Sequence, residues 1–225
     1  MLLLASESGV DVRLEVLAGV AGNPAMVSDN PMRRSGPQRI LVPAGPARRL
    51  SMEFIGKDGV RGRVHLSAFA LAGPPIAGPC VAAQRALADG DASFARAQLI
   101  SMGLAEAPAG SALREYEAAA HAYQRAVLAV EQLGPNLILA QAQLSAAAVL
   151  YQGVQNWAEA LRVAQLAQET YSALGEHHGR DRAQAMAAAA EMEVALGVLA
   201  AAPNDPAAEQ RMNGMLAQAR QSLID

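Results

Sequence analysis

A stretch in the second half of this 225-residue chain echoes itself at a distance of 41 residues. Tyr116, Ala119, Ala126 and the pair Leu133-Gly134 recur as Trp157, Ala160, Ala167 and Leu174-Gly175. A fixed period in that range, carried by small and aromatic residues at helical spacing, is the signature of stacked helix pairs. Such arrays bury one face of each helix against its neighbours, and they bind proteins far more often than they perform chemistry.

Composition agrees with close helix packing. Hydrophobic residues make up 52% of the chain but aromatics only 4%, and much of the remainder is alanine. Alanine at i, i+3 or i+4 and i+7 lets helix axes approach more closely than the usual ~8–10 Å. Breaks at Gly110, Gly134-Pro135, Gly175 and Pro203 to Pro206 divide the region after residue 78 into helices. The expected segments are 79–89, 91–104, 111–133, 137–153, 156–174, 180–198 and 206–223.

The first 72 residues read differently. Val12, Leu14 and Val16 alternate with Asp11, Arg13 and Glu15, which is the period of a half-buried strand. Leu50, Met52 and Phe54 repeat the pattern, and Gly56-Lys57-Asp58-Gly59 makes a turn. Val60, Val64, Leu66, Ala68 and Ala70 then share one face, opposite Arg61, Arg63 and His65, and a weaker strand spans Arg39 to Val42. Four or five short antiparallel strands suggest part of a β-sandwich. Such a part leaves an apolar face and an edge in need of cover. Either the helices cover it or strands upstream are missing, with truncation favoured.

Charge is divided. Residues 1–75 carry +3 and residues 76–225 carry −6, so neither block has the basic footprint of a nucleic-acid binder. The doublets Arg33-Arg34 and Arg48-Arg49 read as loop ends. Cys80 is the single cysteine, which excludes an intramolecular disulfide and leaves the compartment open, with the cytoplasm slightly favoured. Met1 to Leu4 is too short an apolar start for a signal peptide, and later apolar runs are interrupted by Gln, Glu or Arg. The expectation is a soluble protein without a membrane partner.

The segment Leu144 to Ala167 resembles one tetratricopeptide repeat. Ala148 fills the small-residue slot of the first helix and Tyr151 the aromatic slot one turn on. Trp157 opens the second helix, Ala160 and Ala167 fill its small slots, and Ala164 stands where the family usually has an aromatic. Tyr123 matches that aromatic slot in the preceding copy, while in the looser following copy Met186 and Ala190 align with one residue inserted and Glu193 replaces the aromatic. The period exceeds the family's usual ~34 residues. The Ala173 to Arg180 linker is similar to that of bacterial tetratricopeptide proteins carrying a caspase-like CHAT peptidase domain. Their N-terminal regions place a small β-sandwich before the repeats, and Gly9 to Leu14 and Gly59 to Leu66 resemble strands of such a module.

The resemblance implies a mixed β-then-α fold: a small antiparallel β-sandwich-like module at 1–72, a linker at 73–78, and an α-α superhelix of tetratricopeptide-like helical hairpins at 79–225. It also implies a peptide-binding groove lined by Ala142, Ser145, Val149 and Gln152 of one repeat and Gln184, Ala187 and Glu191 of the next. The occupant is a peptide or protein partner, or the chain's own missing downstream domain.

Chemistry is sparse by comparison. His65 and His121 stand alone, and the contiguous Glu176-His177-His178 diverges in direction, so no metal site is expected. Gly56 to Gly59 lacks the pattern of a phosphate-binding loop. Cys80 has no evident activating base, so neither catalytic residue nor cofactor is expected. The function expected is a non-enzymatic interaction scaffold. Alternatives are a regulatory fragment of a CHAT-type cysteine protease whose catalytic domain lies outside this chain, a cryptic hydrolase using Cys80 or the histidines, or an oligomerisation module.

Overall fold

The computed structural model describes residues 2–8, 12–17, 24–28, 38–42, 51–56, 63–69, 78–202 and 205–222. Six strands come first: β1 (Leu2–Ser8), β2 (Val12–Leu17), β3 (Pro24–Ser28), β4 (Gln38–Leu41), β5 (Ser51–Gly56) and β6 (Arg63–Phe69). Six α-helices follow: α1 (Pro79–Ser101), α2 (Ser111–Val130), α3 (Leu137–Val149), α4 (Trp157–Ala173), α5 (His177–Ala201) and α6 (Pro206–Ser222). A single π-helical turn, Leu150–Val154, closes α3.

β1 pairs antiparallel with β4 and β6, and β2 with β3 and β5, in the orders β4-β1-β6 and β3-β2-β5. Leu3 lies opposite Ile40 in that register, and both join Leu14 and Val42 in one buried cluster flanked by Met26 and Val64. The alternation of Arg13 and Leu14 has its expected result, since Leu14 is fully buried and Arg13 is not. β1 and β3 were not anticipated. Met1 to Leu4 lacks alternation, and Pro24 sits at the head of β3, where a missing N–H is tolerated. The turn at 57–59, the arginine doublets and linker residues 73–77 lie outside the described residues.

The chain divides into two compact units, Met1–Gln132 and Leu133–Asp225, whereas the sequence places its boundary at 73–78. In the first unit α1 packs against α2 and also against β3 and β4. In the second, α3 packs on α4, α4 on α5 and α5 on α6.

The expected fold class is therefore corrected. The described residues are predominantly helical, and no free-standing β-sandwich-like module precedes a tetratricopeptide superhelix. The strands are only 4 to 7 residues long and share their unit with two long helices. The helices themselves are unequal, from 13 residues in α3 to 25 in α5, which is not a regular succession of hairpins. The physical reason lies in the two sides of β4: Ile40 is buried with Leu3, Leu14 and Val42, while its neighbour Arg39 faces the other way and is held to Asp91 of α1, so the strands do not stand apart from the helices.

The 41-residue echo nevertheless marks equivalent environments. Ala119 and Ala160 are fully buried, as are Ala126 and Ala167, and Tyr123 and Ala164 between them. Gly134 and Gly175 both take positive φ, near 73° and 70°. After α4 this glycine ends the helix in a Schellman arrangement, with Glu176 N–H donating to the Tyr171 carbonyl at 3.0 Å and Gly175 N–H to that of Ser172 at 3.1 Å. At the other ends, the Asn136 side chain accepts from Leu139 N–H and that of Asn156 from Glu159 N–H, starting α3 and α4.

Candidate functional site

Polar side chains gather in three places. In the first unit, Arg39 on β4 and Asp91 on α1 form an ion pair at 3.1 Å with side chains only 1% and 0% exposed. Tyr123 of α2 donates its hydroxyl to the other Asp91 oxygen at 2.8 Å, and Arg39 Nε donates to Gln84 Oε1 at 3.2 Å. Behind them the Arg39 backbone N–H donates to Ser28 Oγ at 2.8 Å, and that hydroxyl donates to Gln38 Oε1 at 3.3 Å. All of these side chains except Gln84 are buried, so the cluster ties β3 and β4 to the two helices and offers no surface to a ligand.

The second place is a cleft of ≈ 340 Å³ between α1 and α2, lined by Asp89, Ser93, Arg96, His121 and Arg125 among others. Its charges are already matched. Arg96 reaches Glu115 at 3.1 Å and donates to Ser93 Oγ at 2.9 Å, while Arg125 stands 3.6 Å from Asp89. A ligand anion would have to displace a carboxylate from either arginine.

The third is the face of α3 and α5 that the sequence assigned to a groove. Ala142, Ser145 and Val149 are fully buried and Ala187 nearly so, which removes them from any surface a peptide touches first. The small residues on α3 serve close packing. Gln152 is exposed and Gln184 half-buried. Glu191 is 9% exposed, and burial raises its carboxyl above the usual range. Two residues beyond Val149, Tyr151 is bonded to Glu193, and burial together with that carboxylate raises its phenol. Ser145 Oγ has no hydrogen-bond partner.

Sequence reasoning missed the outward side of α5. Met192 and Leu196 are 44% and 49% exposed, one turn apart on the same helix side. Ala185 is exposed above them, and Ala189 and Leu199 are half-buried on the same line. The signal was present as a 4-3-4-3 spacing of apolar residues at 185, 189, 192, 196 and 199. By length and composition α5 and Leu137–Val154 are also long and apolar enough to cross a membrane. Only 28% of the α5 window is buried, against 56% for the other. Glu191 and Glu193 interrupt α5 at mid-length, and an acidic side chain there costs roughly 2.5–3.5 kcal/mol in a bilayer.

The remaining chemistry-bearing residues stand apart. Cys80 is exposed in the first turn of α1, His65 is exposed on β6, and His177 and His178 are exposed in the first turn of α5. Among the described residues, no three His, Cys, Asp or Glu side chains are placed to share a metal ion. Comparison of the chain with protein-family models, curated proteins and solved structures finds no match.

Proposed function

We propose that this chain is a non-enzymatic protein-interaction module that receives a helical segment of a partner protein along the outward side of α5. One observation carries the reading: α5 is the longest helix and among the most apolar, yet little of it is buried within the molecule. Full burial of a Met or Leu side chain is worth about 1.5–3 kcal/mol, and Met192 and Leu196 leave much of that unrealised. Contiguous exposed apolar surface of this kind is characteristic of docking faces. A helix laid along it would use side chains at i, i+3, i+4 and i+7.

The test is selection from a displayed library of amphipathic helical peptides, followed by calorimetry. Micromolar binders are expected, about −8 kcal/mol. Leu196→Glu and Met192→Glu should each weaken them about tenfold or more with the helical circular dichroism unchanged. Binders indifferent to both substitutions would refute the assignment.

A further inference from the structure

We infer that the segment received by α5 is α5 of a second copy of this chain, paired antiparallel about a two-fold axis; this rests on the reading of α5 as a docking face. The outward residues Ala185, Ala189, Met192, Leu196 and Leu199 follow the alternating four-three spacing of a coiled-coil seam. Their sizes are ordered along the helix, small toward the N-terminus and large toward the C-terminus.

That order makes the face complementary to itself in one direction. With the axis between positions 190 and 191, Leu196 of one copy meets Ala185 of the other and Met192 meets Ala189. Leu199 meets the aliphatic stem of Arg182, which is half-buried. The Leu196–Ala185 and Met192–Ala189 layers then each combine a large and a small side chain, and the axes keep an even separation through them. Parallel pairing sets Leu196 on Leu196 and Ala185 on Ala185, so the helices must splay at one end or leave a void at the other. A two-fold interface needs one patch that fits itself, and this patch does so only antiparallel.

The seam from Ala185 to Leu199 is about 22 Å long. It is small for a stable interface, so dissociation on the order of micromolar is expected. Sedimentation velocity on the full chain carrying Cys80→Ser should show monomer below about 1 μM and dimer above tens of micromolar. Leu196→Glu should raise the dissociation constant about tenfold or more. In the same background, Ala189→Cys combined with Met192→Cys should give a disulfide-linked dimer, because those positions face each other across the axis. Either cysteine alone should leave the chain uncrosslinked. A dimer linked by Ala189→Cys alone would overturn the antiparallel register. Monomer up to about 100 μM, or co-sedimentation with phosphatidylcholine vesicles in place of dimer, would overturn self-pairing altogether. If the chain stays monomeric while selected peptides still depend on Leu196, self-pairing fails and the docking-face reading survives. If neither dimer nor dependent peptide is found, both fall.

Discussion

Asp91 accepts from Arg39 and from Tyr123 in the interior of the first unit, and neither charge reaches solvent. A buried pair of this kind adds little net stability relative to an apolar substitute, but breaking it leaves one charge without its counterion. Asp91→Ala is therefore expected to destabilise by about 3–5 kcal/mol in urea denaturation. Tyr123→Phe removes one bond to a charged acceptor and should cost about 1.5–3 kcal/mol. A change below about 1 kcal/mol for Asp91→Ala would show that the cluster does not hold β4 to α1. Glu191 makes the opposite contribution. Its carboxyl is raised by burial, so the stability it contributes is fully present below the unfolded carboxylate value and lost as pH rises through the raised one. Glu191→Gln should therefore melt higher than the parent near pH 7 and coincide with it near pH 4, as read by thermal melts across that range. None of this was legible in sequence. Arg39 and Asp91 lie 52 residues apart, and Tyr123, noticed for its ring, gave no sign of where its hydroxyl would point.

At the scale of elements, local signals served well except where a neighbour intervened. The sequence places a break at Gly90, yet α1 runs through it without interruption. The Tyr123 ring lies against the Gly90 backbone so closely that a Cβ there would collide with it. Gly179 meets Tyr171 in the same way in the first turn of α5, which begins at His177, inside the expected linker turn. Gly90→Ala should therefore destabilise by roughly 1–3 kcal/mol despite alanine's better helix propensity. Gly214 on α6 has open space around it, so Gly214→Ala should stabilise by about 0.4–1 kcal/mol. Paired chemical denaturation curves decide both, and equal signs would contradict the packing account.

For the whole molecule, a charged cluster joins the strands to α1 and α2, while alanines pack α3 to α6 together. If α5 pairs between copies, the melting temperature should rise with protein concentration, since association binds the folded state alone. Leu196→Glu should flatten that dependence; a melting point independent of concentration in the parent would argue against the pairing. What the sequence determined by itself was the position of most helices and the equivalence of the two echoed segments. Those follow from periodicity, glycine caps and alanine spacing, all written within a few turns of chain. Tertiary structure decided that the strands belong with α1, that Ala142, Ser145 and Val149 are packed away, and that the outward side of α5 is left in water. These outcomes depend on which faces meet across long stretches of chain, and a local period marks a face without saying what will cover it.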